Sequence, residues 1–114
     1  MIRGKVVLLP FPSDDLSSTK VRPAVCLTNA IGPHRHLVVA FITSQVPVPP
    51  LDSDIVIASD HPDFRTTGLR VSSAIRLHRL MTVTTGLIQR ELGVLSPDLL
   101  KLVETRLQKL FDLA

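Results

Sequence analysis

The chain has 114 residues, enough for one domain with a single hydrophobic core and no stabilising disulfide or metal. Its longest apolar run, LVVAFI at 37–42, is too short to cross a bilayer, and no charged-then-apolar signal pattern is present at the N-terminus. The net charge is only +3, and the one cysteine, Cys26, permits no internal disulfide. We therefore expect a cytoplasmic protein that neither crosses a membrane nor is secreted.

Apolar, β-branched segments fill the first two-thirds of the chain and predict strands. In chain order the segments are 5–11, 22–29, 36–45, 54–59 and 73–83. Residues 12–20 supply turn chemistry, and the proline-rich VPVPP at 46–50 is expected to be an extended loop, since proline cannot donate to a central ladder. Residues 85–92 fit either a strand or a helical turn.

The alternation of residues 73–83 predicts how this strand presents its side chains. Arg76 and His78 fall on one face and Arg79 on the other, so one face is expected to meet the core and the other solvent or a ligand.

A helix is predicted at the C-terminus. Ser96 suits its N-cap, Pro97 its first position and Asp98 the positive end of the helix dipole. Apolar residues then recur at helical spacing: Leu99, Val103, Leu107 and Leu110. Several short strands and a terminal helix predict a mainly β protein, a small antiparallel barrel, as a single domain over 1–114.

Charge is distributed unevenly along the chain. Residues 51–63 contain four Asp and no Lys or Arg, whereas residues 64–90 contain five Arg and no Asp or Glu. A basic tract of this kind attracts phosphates, although a solvated face without function is the alternative.

Candidate functional residues collect at predicted strand ends. They are Lys20 and Arg22, then Thr43, Ser44 and Gln45, then Ser72, Ser73, Arg76 and His78. Arg22 is notable because it stands directly before Pro23 and a buried run, where a charge is costly unless it lies at the mouth of a site. The chain has neither a glycine-rich phosphate loop nor a cysteine pair at metal spacing, so no metal site is predicted.

Five segments occur in a characteristic order from Gly4 to about Leu110: GKVVLLPFP, KVRPAVCLTN, FITSQ, TTGLRVSSAIR and LGVLSPDLLKLVETRL. Together they resemble the PemK/MazF-like toxins of type II toxin–antitoxin modules. The resemblance implies an SH3-like barrel, a homodimer, and cleavage of single-stranded RNA without a metal or other cofactor. It also implies a cognate antitoxin with a flexible segment, which the basic tract from Arg65 to Arg90, with Lys20 and Arg22, leads us to expect to be acidic.

The resemblance also assigns roles by position. Arg22 matches the family's catalytic arginine, Thr43 the residue near the scissile phosphate, and Ser73 the serine after the Gly–Leu segment. Arg76 and His78 fall where one branch of the family has an arginine and an aspartate proposed for acid–base work. Two departures stand out: LSSTKV replaces a Gly-x-Glu-Gln segment, so its glutamate is missing, and His78 replaces an acid.

We therefore expect Arg22 to stabilise charge on the phosphate, Thr43 to donate a hydrogen bond to it, and His78 to transfer protons. The residues expected to contact RNA are Lys20, Ser44, Gln45, Ser73, Arg76 and Arg79. Since the chain has no Trp or Tyr and only four Phe, base stacking is expected to be modest.

Two other functions remain open at the level of sequence. One is a non-enzymatic toxin or binding module on the same barrel, as in gyrase poisons, because a fold does not fix a function. The other is a family member that has lost activity, which the missing glutamate suggests.

Overall fold

Strands are the main regular secondary structure of the computed structural model, which describes residues 1–12 and 15–113. The strands are β1 (Lys5–Pro12), β2 (Thr19–Cys26), β3 (His36–Thr43), β4 (Asp54–Ile57), β5 (Ser73–Thr84) and β6 (Arg90–Val94), followed by helix α1 (Pro97–Leu110). The predicted mainly β fold with a C-terminal helix is confirmed. The ambiguous segment 85–92 divides into a 3-10 turn at Thr85–Leu87 and the start of β6.

One prediction about β2 needs correction. The strand begins at Thr19, three residues earlier than the predicted start at Arg22, so Lys20 and Arg22 both lie on a strand. The rest of the predicted turn precedes it, and its residues Ser13 and Asp14 lie outside the described part of the chain.

The strands form a single curled antiparallel sheet in the order β4-β5-β3-β2-β1-β6. Strand β2 pairs with β1 from Thr19 to Val25, but with β3 only from Ala24 to Cys26. The first half of β2 therefore diverges from β3, and Pro23 stands at the last position before the β2–β3 ladder. Pro23 therefore interrupts no ladder with β3, although it lies within a strand.

The curled sheet buries apolar side chains on both faces, as strand alternation requires. One core lies between the sheet and α1 and includes Val6, Ile42 and Leu99. The second lies on the opposite face and includes Val7, Cys26 and Phe41. Neighbours such as Val6 and Val7 thus enter different cores.

Helix α1 begins as predicted. The Ser96 hydroxyl accepts a hydrogen bond from the Leu99 N–H at 3.2 Å and donates one to Asp63 Oδ2 at 2.7 Å. Leu99 and Val103 are buried against the sheet. The cap therefore also ties the start of the helix to the loop between β4 and β5. In the described part of the chain, no helix is long and apolar enough to cross a membrane.

Two glycines join the edges of the curled sheet. A Cβ atom on Gly68 would lie 2.0 Å from the carbonyl oxygen of Leu92, and one on Gly93 would lie 2.2 Å from that of Thr66. Gly68 also has a φ of +73°, which glycine adopts without strain. Because Gly68 belongs to the loop leaving edge strand β4, its contact with edge strand β6 closes the sheet into a half-barrel where no ladder exists.

Candidate functional site

A groove of about 820 Å³ opens where β2 diverges from β3. Its walls come from the first half of β2, the end of β3, residues 68–73 and the middle of β5. Six cationic side chains line it: Lys20, Arg22, Arg70, Arg76, Arg79 and Arg90. Among the described residues, no Asp or Glu lines the groove, so its surface strongly favours anions.

Arg22 is exposed on β2 and faces this groove. Within residues 1–12 and 15–113 it has no ion-pair partner, and its one hydrogen bond is a long contact of 3.4 Å from Nη1 to the Val21 carbonyl oxygen. A guanidinium in this state presents its planar fork to a phosphate or carboxylate.

Thr43 ends β3 at the groove wall, and the exposed Ser44 and Gln45 follow it there. The Thr43 hydroxyl accepts the N–H of Gln45 at 3.1 Å. Since a hydroxyl has one proton to donate besides its acceptor sites, Thr43 keeps a donor for a ligand.

Ser73 also lines the groove, but its side chain is buried and its hydroxyl donates to the Val71 carbonyl oxygen at 2.8 Å. In this arrangement Ser73 shapes the turn that forms the wall.

Arg76 is held in position by Asp54, a residue that the sequence did not suggest. Its Nε donates to Asp54 Oδ1 at 2.9 Å, and Asp54 Oδ2 accepts the Leu51 N–H at 2.8 Å. The Asp54 side chain is fully buried, whereas that of Arg76 is 25% exposed. The sequence signal that could have identified Asp54 was the acidic tract 51–63. Strand β4 from that tract pairs with β5 from the basic tract.

A wide bulge in β5 corrects the predicted alternation. Phe41 pairs with Arg76, but the preceding Ala40 pairs with Leu80, so three residues of β5 are inserted between two consecutive pairs. As a result Arg76 and Arg79 both line the groove, where strict alternation had placed them on opposite faces.

The same bulge takes His78 out of the groove. His78 is exposed, does not line the groove, and has its Nδ1 2.9 Å from the hydroxyl of Ser53. The groove thus brings together the predicted site residues from Lys20 to Arg79 except His78 and Ser72, whose hydroxyl accepts the Ser59 N–H at 2.8 Å.

Arg79 covers an aromatic pair at the edge of the second core. Its guanidinium carbon lies over the Phe41 ring, 4.6 Å from the centroid, and 5.7 Å from the centroid of Phe11. The two rings are 5.0 Å apart. This cluster was not predictable from the sequence, because Phe11 and Phe41 meet only through the pairing of β1, β2 and β3.

Arg70 and Arg90 line the groove although the sequence assigned neither of them to the site. Both belong to the basic tract 64–90, so the charge asymmetry was the signal. Arg65, from the same tract, is exposed away from the groove.

The chemistry available here is that of cations and hydroxyls. Burial raises the pKa of the Cys26 thiol to about 11, so it stays protonated near neutral pH and is a poor nucleophile. Among the described residues, no three His, Cys, Asp or Glu side chains are placed to hold a metal ion. The groove is therefore suited to binding a phosphate chain and stabilising charge on it.

Comparisons with known proteins agree with this geometry. The structure is similar to Mycobacterium tuberculosis toxin MazF-mt6, with a TM-score of 0.70 and 23% identity, over 95% of this chain and 98% of that one. It is also similar to an endoribonuclease in complex with its cognate antitoxin from a mycobacterial species, with a TM-score of 0.73 and 16% identity, over 100% and 97% of the two chains. At these identities the likeness shows the fold. The comparison with curated proteins gave no match.

The family model of the PemK-like, MazF-like toxin of type II toxin–antitoxin systems matches residues 2–111. The match spans all six strands and α1, including every residue of the groove. This chain therefore belongs to the PemK-like, MazF-like toxins of type II toxin–antitoxin systems.

Proposed function

We propose that this toxin is an endoribonuclease that cleaves single-stranded RNA without a metal. The observation that carries the proposal is the groove, which six cations line. Among the described residues, no carboxylate lines it and Arg22, which faces the cavity, has no ion-pair partner. Such a groove attracts the RNA backbone, and the Arg22 guanidinium supplies the positive charge that the reacting phosphate needs.

The proposed reaction uses the RNA's own nucleophile. The 2′-oxygen attacks the adjacent phosphorus while the bond from phosphorus to the 5′-oxygen breaks, which leaves a 2′,3′-cyclic phosphate and a 5′-hydroxyl. Negative charge grows on the non-bridging oxygens during attack. Arg22 holds two of these oxygens through its fork, and Thr43 donates its remaining proton to the same phosphate.

Two protons must also move, from the 2′-hydroxyl and to the departing 5′-oxygen. His78 is the candidate from the sequence, because an imidazole can both accept and donate a proton. To take part, its ring has to leave the Ser53 hydroxyl and turn toward the groove. The pH–rate profile of His78→Ala tests this role: a flattened profile supports it, and an unchanged profile excludes it.

The proposed function is tested by incubating the pure protein with a long single-stranded RNA in EDTA and mapping the fragment ends. Arg22→Lys keeps the charge but loses the fork, so we expect cleavage to slow at least about tenfold. Thr43→Val removes the hydroxyl at nearly constant shape and is expected to slow cleavage as well. Arg65→Lys is the matched control, since Arg65 belongs to the same basic tract but lies outside the groove.

Full activity of Arg22→Lys, with the fold intact by circular dichroism, would remove Arg22 from the mechanism. A folded wild-type protein that cuts no RNA would instead favour a non-enzymatic toxin on this barrel.

We also propose that the active form is a homodimer, inactivated by a cognate antitoxin. One structurally similar endoribonuclease was solved with its cognate antitoxin. Exposed apolar residues, among them Leu102 and Phe111 at α1, leave surface for association. Sedimentation at micromolar concentration distinguishes a dimer from a monomer of 12.5 kDa.

A further inference from the structure

A second, smaller cavity of about 310 Å³ adjoins the cationic groove. The two cavities share Lys20, Arg22, Phe41 and Arg79, whereas Phe11 lines only the smaller one. Its volume is at the lower end of ligand-binding pockets, which suits one small planar group and not a whole nucleotide chain.

The wall of this cavity is a planar cation supported by aromatic rings. Arg79 lies over Phe41, well within the range of a cation–π contact, and Phe11 packs against Phe41. Both rings are almost completely buried, so the guanidinium has a firm apolar base. An arginine held in this way offers a flat surface on which another π-system stacks.

The rim of the cavity adds cationic side chains, which can bind the phosphate of a nucleotide. Lys20 and Arg22 lie on the same stretch of β2, both are exposed, and both line the cavity and the groove. A ligand that extends from the cavity into the groove thus meets a flat apolar-backed surface first and cations next.

We infer that the smaller cavity is a subsite for one unstacked nucleobase of the bound RNA, which stacks on the Arg79 guanidinium. This inference rests on the proposed function. In other RNA-binding proteins Trp or Tyr side chains stack on bases, but this chain contains neither residue. The inference assigns this stacking to Arg79, supported by Phe41. Because every base has a π-face, the subsite holds a base without requiring a particular one.

The test compares two ligands with equal phosphate charge. One is a short oligouridine with 2′-O-methyl groups, which block cleavage, and the other is the abasic 2′-O-methyl ribose–phosphate chain of the same length. Arg79→Lys keeps the charge but removes the flat surface. We expect it to weaken oligouridine binding roughly tenfold and to leave abasic binding nearly unchanged.

Arg90→Lys is the matched control, because Arg90 lines the groove but not the smaller cavity. It is expected to change the binding of both ligands by the same factor. An equal loss for both ligands in Arg79→Lys would make Arg79 a charge contact only and overturn the subsite. Equal wild-type affinity for the two ligands would overturn it as well. A wild-type protein that binds neither chain would overturn the proposed function and the subsite together.

Discussion

The carboxylate of Asp54 holds one end of the groove in place. A fully buried charge is costly unless it is paired and hydrogen-bonded, and Asp54 meets both conditions through Arg76 and the Leu51 N–H. The turn that carries it is held independently, since Arg106 Nη1 donates to the Asp52 carbonyl oxygen at 2.8 Å. Asp54 therefore has two roles: it positions Arg76 in the groove and it stabilises the fold.

We expect Asp54→Asn to lower the free energy of unfolding by about 3 kcal/mol, because it breaks a buried ion pair. Urea denaturation followed by circular dichroism measures the change. Asp60→Asn is the control: Asp60 is an exposed acid of the same tract, and its substitution is expected to change stability by less than about 0.5 kcal/mol. Similar losses in both variants would contradict the role given to the Asp54–Arg76 pair.

At the level of single residues, the sequence predicted those site residues that lie in recognisable short motifs. Arg22 and Thr43 were predicted because each lies in a short segment, KVRPAVCLTN or FITSQ, that resembles a segment of the family. Both residues line the groove. Asp54 and Phe41 were missed as site residues because their roles arise from strand pairing. His78 was expected beside Arg76, and only the bulge in β5 separates them.

Among the elements, the turn at Gly68 and strand β6 approach each other closely through their backbones. Each has a glycine where a side chain would meet the other's backbone carbonyl. Gly32 offers a natural comparison, since its φ of +71° nearly equals that of Gly68 but no atom lies within 4 Å of the Cβ position.

Gly32→Ala is expected to destabilise the protein by about 1 kcal/mol, the cost of a left-handed residue with a side chain. Gly68→Ala adds a clash with the Leu92 carbonyl, so we expect a loss at least about 2 kcal/mol larger. Thermal and urea unfolding of the two variants measure the difference. Equal losses would show that backbone conformation, and not close approach, is what requires glycine at position 68.

Element types were predictable because each depends on local patterns. Apolar, β-branched segments indicated the strands, and Ser96 with Pro97 indicated the start of α1, which the structure confirms. The bulge in β5 and the contact between Gly68 and β6 were not predictable, since both are set by partners distant in the sequence.

For the whole molecule, the charge of the groove suggests how the proposed antitoxin recognises it. An acidic, flexible segment with apolar anchors complements a surface with six cations, and it would order itself as it binds. The groove is then the surface for which antitoxin and RNA compete.

We expect the product of the neighbouring gene to bind this toxin, to inhibit RNA cleavage and to lose affinity as salt is added. Lys20→Glu, in the groove, is expected to weaken the complex at least about tenfold, whereas Arg65→Glu, outside it, is expected to have little effect. Titration calorimetry with a parallel cleavage assay measures both. Tight binding with undiminished cleavage would contradict neutralisation through the groove.

The overall architecture was predictable because five ordered segments resemble one family along nearly the whole chain, and the family match confirms it. The groove as a space was not predictable, because it exists only where β2 pairs with β1 and leaves β3.

The bulge in β5 also bears on how such a toxin can diversify. Pairs on either side of it, Ile42 with Ile75 and Val39 with Met81, fix the register of the sheet. Between them Leu77 is buried in the core and Leu80 packs against it, while His78 and Arg79 point to different surfaces. Mutations at Arg79 can alter ligand preference without disturbing strand pairing, so the barrel can be inherited unchanged while its groove evolves.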